Sequence, residues 1–305
     1  MRHRSLATTE VKTLLYNTMT SQDFSQFIGN AKIRDRFRGL ADAGELAHAY
    51  LFSGPKRLGK YTLAEMVARR IVVDPRADIV RIAPERDAEG AKKDRDIDVD
   101  TIRQARRRLS MGSEASMRAC IIDDAHRMTD AAQNALLKIL EEPRGKTVFF
   151  LVTSVPGELL ATILSRCERA AFSLVAQEEL AAAISREDAL QLARLSFGRP
   201  GTLVRLLEHS EEAKRRETLM KFFETFSRRT AFERLQLAER IAKKPASARD
   251  FLEDWTEFER NRARSERGAV RPAYRRIEKL LDTSETLENT NANTRLLFEA
   301  MMVGL

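Results

Sequence analysis

The chain has 305 residues, with 53 Lys and Arg against 45 Asp and Glu for a formal net charge of +8, and 43% of it is hydrophobic. That length provides for two or three domains with a real core, and no apolar run in it approaches a membrane span. The N-terminal text MRHRSLATTEVKTLLYN lacks the apolar core of a signal peptide, and two cysteines, Cys120 and Cys167, can build neither a disulfide framework nor a four-thiolate zinc site. The cytoplasm is the expected location, with no membrane partner. The basic balance fits an acidic partner such as nucleic acid, and it fits a solvated surface equally well.

Residues 1–20 are polar and read as a mobile segment. From 21 to 175, short apolar runs alternate with helical patterns. AYLF (49–52), RACIID (118–123), TVFFLV (147–152) and the stretch near AAFSL (170–174) read as strands. Leu63, Ala64, Val67, Ala68 and Ile71 have helical spacing, and residues 76–100 read as a polar surface loop. The next helix is bounded by Asp130 and Gln133, read as a capping pair, and by Pro143 and Gly145 as its stop. Ala132, Ala135, Leu136, Ile139 and Leu140 give it one apolar face. Alternating strands and helices predict an α/β domain with a largely parallel sheet. Beyond 176 only helical patterns remain, broken at FGRPG (197–201). The expected organisation is therefore a sheet domain over 21–175, a small helical domain over 176–210 and an all-α domain over 211–305.

The stretch GPKRLGKYTLAEM (54–66) follows the first strand and carries the spacing of a phosphate-binding loop through Gly54, Gly59 and Lys60. Glycines let backbone N–H groups approach phosphate, the helix start adds positive potential, and the lysine neutralises phosphate oxygens. The following hydroxyl should hold Mg²⁺, but that position is Tyr61, which is too long. Thr62 has the right chemistry one residue on, about 100° around the helix. Arg57 stands where many such loops keep a third glycine. IIDDAHRM supplies acids at a strand end: Asp123 for the metal, and Asp124 where a longer Glu would orient water. The missing methylene is about 1.5 Å, and a misplacement of about 1 Å costs about 100-fold. Thr153, at the end of TVFFLVT, is placed to sense a γ-phosphate or to be a turn residue. In ILSRCERAAF (163–172), Arg166 lies between a helical segment and a strand, the position of a surface arginine or of one reaching another subunit. Cys167 reads as a small buried residue.

Taken together, AHAYLFSGPKRLGKYTLAEM, IIDDAHRMTDAAQNALLKILEEP and TILSRCERAAF resemble the bacterial clamp-loader group of AAA+ proteins. NANTRLLFEAMM (291–302) is similar to the last helix of its delta prime-type members. The similarity spans about residues 24–305. It implies a RecA-like AAA+ sheet domain, a helical lid and a helical collar that oligomerises. It implies gamma/tau-type and delta-type subunits as partners, with a sliding clamp and primer-template DNA met through the complex, within the DNA polymerase III holoenzyme.

Delta prime-type members keep the fold with a damaged loop and donate the arginine of their SRC motif, here Ser165-Arg166-Cys167, to a neighbour's ATP. Tyr61 and Asp124 follow that pattern. The resemblance thus implies Arg166 as a finger acting in trans, little or no intrinsic ATPase, and a loop derived from an ATP and Mg²⁺ site whose changes argue against binding. The four zinc-binding cysteines common in the family have no counterpart in VVDPRADIVRIAPE, so no zinc is expected. The family's phosphate-sensing arginine falls nearest Thr202, with Arg199 displaced upstream. Two other readings stay open: an ATP-hydrolysing gamma/tau-type motor, and a DNA-binding AAA+ protein outside replication, supported by the basic run NRARSERGAVRPAYRRIEK (261–279) or explained by a solvated helix face. The aromatics Phe222, Phe223, Phe226, Phe251, Trp255 and Phe258 read as collar core or subunit contact.

Overall fold

The computed structural model describes residues 23–85, 96–111, 116–142, 145–243, 245–265, 270–290 and 292–305. The segment 1–20 and the helix stop at Pro143 lie outside the described residues. The described chain forms two compact units that meet in sequence between Glu208 and His209.

The first unit is built on five parallel strands: β1 (Ala49–Ser53), β2 (Ile79–Ile82), β3 (Arg118–Ile122), β4 (Thr147–Thr153) and β5 (Glu168–Ala171), in the order β2-β3-β4-β1-β5. The apolar runs are continuous because both faces are covered. On one face Leu51, Ile82, Ile122 and Leu151 pack with residues of helices α3 (Val99–Ser110) and α4 (Asp130–Glu141). On the other, Tyr50, Phe52, Ile121 and Phe150 pack with Phe37 of α1 (Ala31–Ala43) and Leu63 and Val67 of α2 (Lys60–Ile71). Successive strand residues thus feed opposite cores, as the two-residue side-chain period requires.

Three expectations need correction. Residues 76–100 are not one loop: they contain β2 and the start of α3. IVRI becomes a strand because its ladder partner, Ile79↔Ala119 to Ile82↔Ile122, satisfies its backbone and its Ile and Val side chains enter the cores. The last strand is Glu168–Ala171, earlier than the apolar stretch at 170–174, because its pairing runs from Tyr50↔Glu168 to Ser53↔Ala171. Helix α4 is capped by Thr129, whose side chain accepts from Ala132 N, rather than by an Asp130–Gln133 pair. Gln133 is buried and accepts from Leu160 N at 2.8 Å while donating to Glu158 O at 3.2 Å. It ties the helix to the segment after β4.

The short α5 (Ala161–Leu164) precedes β5, and after that strand the first unit continues as α6 (Gln177–Ala182), α7 (Ala189–Ser196) and α8 (Pro200–Glu208). The second unit comprises α9 (Ser210–Thr225), α10 (Ala231–Ala242), α11 (Pro245–Ser265), α12 (Val270–Asn289) and α13 (Thr294–Gly304). Its aromatics form the core: Trp255 is fully buried and its ring stacks on Phe223 at 5.0 Å and meets Phe226 edge-on at 4.6 Å. Thr230 and Glu233 close a reciprocal capping box on α10. Within the basic run, Arg262 and Arg276 are both committed to buried Glu259. Among the described residues, no helix is long and apolar enough to cross a membrane.

Candidate functional site

Strand order brings the candidate residues to one edge. β1 lies between β4 and β5, with Ser53 level with Thr153 and Ala171, and β3 beside β4 with Ile122 level with Leu151. The loop after β1, the acids after β3 and Thr153 therefore share the carboxyl edge of the sheet, where open α/β sheets bind ligands.

The loop is set by close packing. Gly54 has φ 132°, and a Cβ there would run into the carbonyl of Phe172. Gly59 has φ 82°, and a Cβ would stand 2.8 Å from the Phe27 ring. Only glycine satisfies both demands. Arg57 adopts φ 64°, the left-handed conformation that glycine would take more easily, at a cost of about 1–2 kcal/mol. Its carbonyl accepts from Gly201 N at 2.9 Å, so the start of α8 rests on the loop.

Lys60 begins α2 and is buried. Its Nζ donates to the carbonyls of Gly54 and Pro55, both at 2.6 Å. Burial pushes its pKa down to about 8, against the opposing pull of Asp123 and Asp124 and with smaller help from Lys56 and Arg199. These charges place both acids and Arg199 in the field of Lys60. Asp124 turns the chain with φ 45°, and its N–H donates to Asp123 Oδ1 at 3.1 Å.

Tyr61 does not occupy the place of a metal hydroxyl. Its ring packs against the α2 face of the core, and its hydroxyl interacts with Arg81 of β2. Burial raises its pKa, and nearby Glu65 adds to this. Thr62 is half-buried. Thr153 is fully buried; its hydroxyl accepts from Val155 N at 3.0 Å and lies 3.1 Å from His126 Nδ1. The His126 pKa is lowered, chiefly by burial. The loop N–H groups and Lys60 suit phosphate, but this donor set does not fit a Mg²⁺-nucleotide, because the residue after Lys60 turns its hydroxyl to Arg81.

Arg166 lies apart from this edge, between α5 and β5. Its side chain is about one-third exposed, and the guanidinium donates to Thr162 O at 3.0 Å and to Glu141 Oε1 at 2.7 Å. Cys167 beside it is buried, and burial pushes its thiol up to about 11.

Residue-by-residue reading of the sequence gave no role to His126, Glu141 or Lys56, and it treated Arg199 as displaced. Thr202, the nearest match for a sensing arginine, is fully buried, whereas Arg199 is 5% exposed and acts on Lys60. The adjacency of His126 to the acids in IIDDAHRM was the one available signal.

The Lys60 environment predicts a pH effect. The unfolded lysine titrates near 10.5 and the folded one near 8. Between those values the unfolded chain holds more protons, so stability rises with pH across about 8 to 10.5 and is lower, by up to about 3 kcal/mol, below it. Urea melts of the chain and of Lys60→Met across pH 7–10.5 should show this rise in the difference between them.

The parallel sheet order, the glycine loop into α2, the acids after β3 and the appended helices define an AAA+ module. Residues 29–176 match the family model described as DNA polymerase III, delta subunit. The chain is 37% identical over 149 residues to the DNA polymerase III subunit delta' of Escherichia coli, covering 47% of this chain and 42% of that protein. It is 32% identical over 188 residues to the DNA polymerase III subunit gamma/tau of Mycobacterium tuberculosis, covering 56% of this chain and 32% of that protein. The chain thus spans about a third of the length of these gamma/tau relatives. A DNA polymerase III gamma subunit-related protein of Thermotoga maritima shares the fold, with a TM-score of 0.54 and 21% identity over 88% of this chain and 98% of that one. The chain is thus similar to DNA polymerase III delta' and gamma/tau subunits, and its fold is the RecA-like one of AAA+ proteins.

Proposed function

We propose that this chain is a delta prime-like subunit of the replicative clamp loader, with little or no ATP hydrolysis of its own. Residues 21–175 serve as the AAA+ domain, 176–210 as the lid and 211–305 as the oligomerising collar. Arg166 reaches the ATP site of a neighbouring gamma/tau-type subunit and stabilises the charge that develops on the γ-phosphate during transfer to water. The complex so formed, with a delta-type subunit, opens a sliding clamp and closes it on primer-template DNA.

The observation that carries this reading is Tyr61: the position that would present a metal hydroxyl is committed to the core and to Arg81. A motor reading is favoured by a different observation. Lys60, Asp123 and Asp124 stand together electrostatically, and gamma/tau and tau relatives align over 188 and 193 residues.

Calorimetric titration of the purified chain with ATP and Mg²⁺ separates the two. The expected result is no detectable binding. Micromolar binding that is lost in Lys60→Ala would instead identify a live site and favour the motor.

A further inference from the structure

The neighbourhood of Arg166 holds more than the arginine. Its backbone N–H donates to Ile163 O at 3.1 Å, and Ser165 Oγ donates to Thr162 O at 3.0 Å, which closes the short α5 into a fixed turn. The two terminal guanidinium nitrogens are then held by acceptors from different elements. One bonds the Thr162 carbonyl and the other bonds Glu141, the last residue of α4. Helix α4 is anchored in the core by Leu136, Ile139 and Leu140, so Glu141 projects from a rigid element. The guanidinium carries five N–H donors, and these two bonds use only two of them.

We propose that Glu141 is a positioning residue for Arg166. Its carboxylate fixes the long side chain in one orientation at the subunit surface and leaves three donors to meet the neighbour's phosphate already aligned. The proposal rests on the trans-finger reading above. The pair is half-exposed, at 35% and 49% of the side chains, so it contributes little to folding stability. Its consequence is orientation: a flexible arginine must be ordered at each turnover, whereas a held one is ordered beforehand.

The test uses the reconstituted complex with gamma/tau-type and delta-type subunits of the same organism, and reads steady-state ATP turnover. Glu141→Ala is expected to lower kcat by about 10- to 100-fold with KM for ATP unchanged, in line with the cost of misplacing a catalytic group by about 1 Å. Glu141→Gln keeps an acceptor oxygen and should remain within about threefold of the wild type. In an Arg166→Ala background, Glu141→Ala should cause no further loss. The melting temperature of each isolated variant should match that of the wild-type chain. If Arg166→Ala lowers turnover and Glu141→Ala does not, the positioning role is overturned and the finger stands. If Arg166→Ala itself changes nothing, the finger reading fails and the positioning role fails with it. A Gln variant as slow as the Ala variant, or a full Glu141→Ala loss in the Arg166→Ala background, would also overturn the proposal.

Discussion

Replacing Arg166 with alanine is expected to leave folding and assembly intact and to lower ATP turnover at the one site it serves by about 10³-fold. The side chain lies at the surface of its unit, and its bonds to Thr162 O and Glu141 are solvent-exposed, so little stability depends on them. In the proposed finger role its contribution is electrostatic. A guanidinium is always charged, and its planar fork matches the oxygens of a phosphoryl group as charge spreads over them. A lysine at 166 would keep the charge and lose the fork, so Arg166→Lys should recover only part of the activity. In the reconstituted complex, unchanged ATP turnover and clamp loading by Arg166→Ala would sink the assignment. Loss of assembly would show that Arg166 serves the subunit contact instead.

Removing Arg216 should destabilise the helical unit by about 3–5 kcal/mol. This arginine of α9 is 1% exposed, and its guanidinium bonds Asp254 and, at 2.8 Å, Glu257, both on α11 and both buried. Arg216→Ala would take a buried positive partner from Asp254 and Glu257, which costs more than the ion pairs contribute when complete. Replacing all three by Arg216→Met/Asp254→Leu/Glu257→Leu should return stability to within about 2 kcal/mol of the wild type, because the two carboxylates leave the core together with the arginine. The chain has one tryptophan, and Trp255 sits beside Asp254 in this core, so its fluorescence during urea unfolding reports this unit directly. A loss below about 1 kcal/mol for Arg216→Ala would show that the carboxylates reach water in solution.

The apolar strands β1, β3 and β4 are visible in the sequence because a parallel sheet covered on both faces needs no polar side. β2 is hidden for the opposite reason. It has four residues with Arg81 among them, and its strand identity comes from pairing with β3. Gln133 looked like half of a local cap and is a buried cross-link to residues 25 and 27 positions away. Arg199 looked displaced when counted along the chain. The left-handed pair Phe197 and Gly198 redirects the backbone just before it, and its charge then acts on Lys60.

The sequence by itself determined the α/β class, the glycine loop, the acids at the strand end and Arg166 as the residue to watch. Each is a local pattern whose chemistry depends on neighbours a few positions apart. Tertiary structure alone decided where those groups spend their bonds: Lys60 on its own loop carbonyls, Tyr61 against Arg81, Thr153 on His126 and Arg166 on Glu141. Except for the Lys60 bonds, these partners lie about 20 or more residues apart. Only the register of parallel strands and the packing of helices on them brings such residues together, and no local spacing encodes that.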